Sequence, residues 1–326
     1  MAWSAAACAL INVRSHRVGI CGVRENIGGT LYSLVYGRPC SIHVDPIEKK
    51  PFFHLFPGSS ALSLSTVGCN MSCKFCQNWQ ISQSKPGDLS VRYVSPETIV
   101  SKAVELGVRS IAYTYGEPVV FYEYMSDIAG IARKEGILSA VVSNGYYSPE
   151  TIRSLCRKID AIKIDLKSFS DQYYRNICGA SLAPVLDTLT LIKSGDVWLE
   201  IVYLMVPTLN DDPGMIREMA RWLVENLGTD VPIHFSRFYP AYRLSNLPPT
   251  PVASLEKAWE ICRDEGIKYV YIGNVTDHRA ENTFCHNCDK KIISRRGYSI
   301  QAIDIVDGKC RYCDTAIPGL WQEAKN

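Results

Sequence analysis

From residue 60 onward, short apolar runs alternate with amphipathic stretches, and nothing else in the chain constrains its fold as strongly. Ala61–Val67, Arg109–Thr114, Leu138–Ser143, Ala161–Asp165, Trp198–Val206, Pro232–Phe238 and Lys268–Ile272 read as strands. Helix starts lie between them. Ser95-Pro96-Glu97 and Ser148-Pro149-Glu150 each offer a Ser N-cap, a Pro at the first helical position and a carboxylate where the helix dipole favours one. Asp211-Asp212-Pro213-Gly214 opens another helix, and Val252–Glu265 carries Leu255, Trp259 and Cys262 on one stripe. Gly107 and Gly136 stand where helices should stop. Strands joined by crossover helices pair in parallel, so an α/β fold with a parallel sheet is expected, open or closed as a barrel. In such barrels the chemistry comes from the carboxyl ends of the strands.

Directly after the first strand stand Cys69, Cys73 and Cys76, and Gly68 lets the backbone turn tightly into their loop. Three neighbouring thiolates can hold three corners of a [4Fe–4S] cube and leave the fourth iron open to a substrate. They can also be the three protein ligands of a catalytic zinc. A second constellation, Cys285, Cys288, Cys310 and Cys313, forms two CxxC pairs around a hairpin-like segment, 298–306, and the turn Asp307-Gly308. Four thiolates suit a closed tetrahedral zinc site of ribbon type, and also an auxiliary Fe–S cluster. So small an appendage needs such a staple. His286 lies inside one knuckle as a bystander.

Other strand ends carry Tyr115-Gly116-Glu117-Pro118, Ser143-Asn144-Gly145 and Asp165-Leu166-Lys167. Each alone reads equally as a turn or a surface ion pair; their shared position at one barrel end gives them weight. With Phe75 before the last cysteine, the CxxxCxΦC string resembles the radical SAM superfamily. That resemblance implies a partial (β/α)6 barrel with a [4Fe–4S] cluster whose open iron chelates S-adenosylmethionine, which is cleaved reductively to methionine and a 5′-deoxyadenosyl radical. It further implies that Phe75, Gly116, Glu117, Asn144, Asp165 and Lys167 contact this cofactor, Lys167 opposite the methionine carboxylate and Gly116-Glu117 beside its amine, although Tyr115 replaces the family's first glycine. A zwitterionic methionine group suits one anion and one cation. Cys21-Gly22-Val23-Arg24-Glu25-Asn26, His43–Pro51, Cys76-Gln77-Asn78-Trp79 and Tyr271–Val275 resemble the radical SAM protein of the AmmeMemoRadiSam system, related to pyruvate formate-lyase activating enzymes. Relatives carry a further N-terminal cysteine cluster, where this chain has Cys8 and Cys21, and often His where it has Tyr239.

At 326 residues the chain suits one main domain with appendages: an N-terminal extension over 1–57, a core over 58–279 and a C-terminal four-cysteine metal ribbon over 280–326. A net charge of +2 argues against a nucleic-acid partner, and no apolar run reaches membrane-spanning length. Thirteen cysteines without a secretory start imply reduced, metal-binding thiols and a cytoplasmic protein. The expected partners are a low-potential electron donor of ferredoxin or flavodoxin type and a substrate, small molecule or protein, that loses hydrogen. Activation of a glycyl-radical enzyme is one alternative; a non-redox zinc-binding interaction protein is another. His43, His54 and His234 lie among apolar residues and read as core histidines, Arg237 and Tyr239 as packing or substrate residues, and Cys40, Cys156, Cys178 and Cys262 as inert buried thiols.

Overall fold

A computed structural model describes residues 19–321; Cys8, and any N-terminal metal site built on it, lie outside the described residues. An antiparallel hairpin, β1 (Arg24–Ile27) and β2 (Thr30–Ser33), precedes the main sheet. In that sheet β3 (Ser41–Pro46), β4 (Ser60–Ser65), β5 (Ser110–Tyr113), β6 (Leu138–Ser143), β7 (Ala161–Asp165), β8 (Trp198–Met205), β9 (Ile233–Arg237) and β10 (Val270–Gly273) stand side by side in chain order. Every pair from β4 to β10 is parallel, and β3 lies antiparallel against β4. The crossovers are α1 (Trp79–Ser82) with α2 (Pro96–Glu105), α3 (Tyr122–Lys134), α4 (Pro149–Cys156), α5 (Asp171–Tyr173) with α6 (Ala183–Lys193), α7 (Pro213–Leu227) and α8 (Val252–Asp264). The six β/α units of the expected partial barrel are thus present, with a seventh parallel strand and two open edges, β3 and β10.

The capping signals act as read: Ser95 and Ser148 hydroxyls each accept the backbone N–H three residues on at 3.3 Å, and the Asp212 carboxylate accepts Met215 N–H at 2.8 Å. Strand alternation sorts the two sheet faces. Leu62, Leu64, Ile111, Tyr113, Val141, Ile162, Ile164, Leu199 and Ile201 join the large core with the helices. Their alternate neighbours are small or polar: Ala112, Ala140 and Ala161, then Lys163, Asp165, Glu200, His234 and Ser236. The alanines pack against Ile47, Phe52 and Leu55, whose segment plugs the amino ends of the strands. Above the plug, Lys163, Asp165, His234 and Ser236 line a cavity, with Glu200 buried beside them.

The divisions read at 57 and 280 fall between the paired strands β3 and β4 and just before the C-terminal module. Residues 41–46 of the expected N-terminal extension are hydrogen-bonded into the core sheet along the whole length of β4, so the cut at 57 crosses a strand pair. The C-terminal module consists of β11 (Thr283–Phe284), β12 (Lys291–Arg296) and β13 (Ser299–Ile303), with the short pair β14 (Ile305–Val306) and β15 (Lys309–Cys310). Its hairpin turns at Gly297-Tyr298, earlier than the 298–306 segment suggested. Phe53, Tyr269, Tyr271, Cys285 and Ile292 form one apolar cluster that seats the module on the barrel. Among the described residues no helix is long and apolar enough to cross a membrane.

Candidate active site

A cavity of about 790 Å³ runs from the carboxyl ends of the strands down the barrel interior, and its upper wall holds Cys69, Cys73 and Cys76. Their loop is tied down by its backbone. Ser72 and Lys74 N–H groups donate to Cys178 and Ile177 carbonyls, both at 2.9 Å, and Arg243 N–H donates to the Lys74 carbonyl at 2.9 Å. Gly68 turns into the loop at φ +99°, and a Cβ there would stand 2.8 Å from the Cys21 carbonyl and 2.6 Å from Val23. Cys69 Sγ accepts from Met71 N–H at 3.4 Å and Cys76 Sγ meets Ser82 Oγ at 3.2 Å. Cys178, read as inert, stands against Cys73 and raises its thiol pKa through a side-chain hydrogen bond, together with burial. Burial, then the Glu117 charge, push Cys69 up as well. Phe75 is buried under the loop beside Tyr173, with Lys167 Nζ 5.9 Å from its ring centre.

Gly116 packs against this loop so closely that a Cβ would lie 2.8 Å from Ser65 Oγ and 3.3 Å from the Gly68 carbonyl. Tyr115 takes φ +66°, a conformation that suits the glycine it replaces. Its phenol is hydrogen-bonded to Asp45 and its ring lies under Lys50 Nζ at 4.2 Å, which holds the strained residue in place. The Glu117 carboxylate is spent inside the protein: it accepts from Ser143 Oγ at 2.8 Å, Asn144 N–H at 2.9 Å, Val119 N–H at 3.1 Å and Tyr147 Oη at 3.2 Å. It therefore splices the β5 and β6 loops together, and burial pushes its pKa up against those bonds. Asn144 Nδ2 donates to Asn70 Oδ1 at 2.8 Å and reaches Cys69 Sγ at 3.7 Å.

At the end of β7, Asp165 sits between two lysines, Lys167 Nζ at 2.9 Å and Lys163 Nζ at 3.0 Å. The Lys163 contact is a charge contact without hydrogen-bond direction. Burial opposes the Asp165 charge, but Lys163 and Lys167 outweigh it and hold its pKa down at about 2. Burial also works against the Lys167 charge, yet Asp165 raises its pKa above the usual lysine value. Lys163 was missed in the sequence; its signal was a lysine inside the apolar strand Ala161-Ile162-Lys163-Ile164.

Deeper in the barrel, Glu200 is fully buried and was missed as well. Its carboxylate accepts His54 N–H at 2.9 Å, Phe53 N–H at 3.0 Å, Trp198 Nε1–H at 3.0 Å and His234 Nε2 at 2.7 Å. Desolvation raises its pKa, and the His234 bond with its other donors brings it down to about 2. His54 is a core residue as read, bonded to the Pro318 carbonyl and Tyr271 Oη, both at 2.6 Å. His43 is exposed on β3, against the reading of it as a core histidine. Arg237 donates to the Thr250 carbonyl at 2.8 Å, and Tyr239 stands half-exposed at the cavity mouth.

Cys285, Cys288, Cys310 and Cys313 come together with all four Sγ atoms within 4.8 Å of one another. Cys285 and Cys313 are 3.6 Å apart, Cys288 and Cys310 3.7 Å. Among the described residues this is the only such close group.

An α/β barrel with a three-cysteine loop at its first parallel strand end and a charged cavity beneath is the architecture of a radical SAM domain, and residues 63–223 match the radical SAM superfamily. The chain belongs to that superfamily. It is 42% identical over 301 residues, 92% of this chain and 90% of the other, to the uncharacterized protein MJ0808 of Methanocaldococcus jannaschii. It is 22% identical to the pyruvate formate-lyase 1-activating enzyme of Escherichia coli K12, over 63% of this chain and 89% of that enzyme. A radical SAM methyltransferase from Sphaerobacter thermophilus shares the fold with a TM-score of 0.53, at 17% identity over 68% of each chain. The protein is accordingly a radical SAM enzyme.

Proposed function

We propose that Cys69, Cys73 and Cys76 hold the [4Fe–4S] cluster and that S-adenosylmethionine occupies the upper cavity. The single observation that carries this reading is that the three thiols share one cavity wall with Asp165 and Lys167. A reduced [4Fe–4S] cluster held by these three thiolates would supply the electron for cleavage of S-adenosylmethionine to methionine and a 5′-deoxyadenosyl group able to take hydrogen from the substrate. Lys167 offers its buried cation to the methionine carboxylate, and Asp165 orients that lysine. Gly116 lets a backbone edge approach the amine. Glu117 acts through Asn144, holding it beside Cys69. A low-potential ferredoxin or flavodoxin supplies the electron.

Anaerobic reconstitution, iron and sulfide analysis, and addition of dithionite with S-adenosylmethionine test the reading. About four irons per chain and 5′-deoxyadenosine support it; zinc at both sites without 5′-deoxyadenosine overturns it. We place the chain with the AmmeMemoRadiSam proteins on the motifs at 20–26, 43–51, 76–79 and 271–275, which favours an as yet unidentified substrate. The similarity to an activating enzyme favours a second reading, installation of a glycyl radical on a partner protein. A glycyl signal in electron paramagnetic resonance on mixing with pyruvate formate-lyase would favour that reading.

The C-terminal four-cysteine group suits zinc in a ribbon-like module. Tetrahedral Zn–S bonds of about 2.3 Å place sulfurs roughly 3.8 Å apart. The observed 3.6 and 3.7 Å fit that single-ion geometry, whereas a cube spreads its thiolates over four separate corners. Divisions at 57 and 280 then mark changes of role along a continuous structure rather than independent folding units.

A further inference from the structure

His234 lines the cavity, with Glu200 buried behind it, and neither has a part in holding the cluster or S-adenosylmethionine. Glu200 is fixed as an acceptor, because its oxygens already receive three N–H groups that can only donate, from Phe53, His54 and Trp198. At 2.7 Å from this carboxylate, His234 Nε2 must therefore carry the proton. Burial disfavours the charged ring, so the other nitrogen, Nδ1, is then a lone pair, and no hydrogen bond to it forms among the described residues. His234 is 2% exposed and lines the cavity, with its ring wedged between Phe53 and Tyr271 at centroid distances of 4.7 and 4.9 Å. A rigidly held acceptor on a cavity wall, without a donor from the protein, is open to a hydrogen bond from a ligand.

Strand register gives its level in the barrel. Asp165 pairs with Val202, and Val202 with His234, so the histidine lies in the same layer as the carboxylate that orients Lys167, two strands away with β8 between them. Ser236 of β9 lines the same cavity one layer nearer the cluster. A molecule seated on His234 is thus next to the space assigned to S-adenosylmethionine.

Resting on the assignment of that cofactor to the upper cavity, we propose that His234 is a substrate-recognition residue: its Nδ1 accepts a hydrogen bond from an O–H or N–H group of the substrate, and Glu200 is the positioning residue that fixes the tautomer. The substrate class is one bearing a hydroxyl, amine or amide N–H close to the carbon that loses hydrogen.

The probe is cell extract from cultures grown in deuterium oxide, divided into low-mass and protein fractions, each added to reduced holoenzyme with S-adenosylmethionine. Deuterium in 5′-deoxyadenosine reports abstraction from a substrate, and total 5′-deoxyadenosine reports cofactor cleavage. His234→Phe, which keeps a ring but lacks the acceptor, should lower deuterium transfer at least about tenfold while cofactor cleavage persists. His234→Asn, whose amide oxygen replaces Nδ1, should restore much of it. Equal deuterium transfer by wild type and His234→Phe overturns the proposal. Nitrogen-15 spectra of histidine-labelled, oxidised holoenzyme test it independently of any substrate: wild type should show the Nε2–H tautomer, and an Nδ1–H tautomer overturns it. A wild-type enzyme that forms no 5′-deoxyadenosine would instead refute the underlying cofactor assignment.

Discussion

Glu200→Gln perturbs the barrel interior with almost no change of shape, so its cost can be worked from the hydrogen bonds and the charge. The carboxylate accepts from Phe53, His54, Trp198 and His234, and its pKa is held at about 2 against the ordinary 4.5. That difference, roughly 2.5 units at about 1.36 kcal/mol each, corresponds to about 3 kcal/mol of stabilisation near neutral pH. An amide nitrogen in place of Oε2 would face Phe53 N–H and His234 Nε2, setting donor against donor. We expect a loss of about 3 kcal/mol, roughly 4–5 °C in apparent Tm for a chain of this length. Because the folded pKa is depressed, the contribution is complete above the ordinary pKa and is lost as pH falls from about 4.5 toward 2; the variant's stability should change less across that window. Thermal unfolding under anaerobic conditions between pH 3 and 7 measures both effects, with exposed Glu225→Gln as control. A variant within about 2 °C of wild type, with an unchanged acid limb, would refute the placement of a buried, ionised carboxylate here.

Alanine at Cys69, Cys73 or Cys76 should abolish 5′-deoxyadenosine formation and lower bound iron, while alanine at Cys285 or Cys310 should leave iron in place and remove zinc, both read by elemental analysis. Gly116→Ala places a methyl group against Ser65 Oγ and the Gly68 carbonyl, so a stability loss of about 1–3 kcal/mol and poorer iron incorporation are expected from denaturant titration and absorbance. Lys167→Met should weaken S-adenosylmethionine binding by roughly 10- to 100-fold in calorimetry, since a charge-assisted bond is worth about 1.5–3 kcal/mol. Unchanged affinity would remove Lys167 from the cofactor site.

The parts of this protein legible in sequence are those with local causes. Ser95, Ser148 and Asp212 announce helix starts because capping is a contact between residues three apart. Cys69, Cys73 and Cys76 announce a metal loop because their spacing fits within one turn of chain after a strand. The CxxC pairs likewise fix two knuckles, although which sulfurs face one another emerges only when the module folds. His43 shows the limit of local reading: its apolar neighbours Ile42 and Val44 suggested burial, yet β3 is an edge strand and leaves all three exposed.

Tertiary structure decided everything that depends on strands meeting in register. Lys163 and Glu200 are paired neighbours across β7 and β8, 37 positions apart in sequence, and no local pattern connects them. Taken alone, Glu117 reads in sequence as part of a strand-end turn, and the approach of the β6 loop makes its carboxylate a splice between loops. The antiparallel addition of β3 made part of the N-terminal extension continuous with the barrel. By itself the sequence determined the chemistry, because thiolate spacing and strand-end position are short-range properties. The cavity around that chemistry, and the orphan acceptor on His234 within it, exist only because seven parallel strands bring their inward residues to common layers, and layering is a long-range property of the fold.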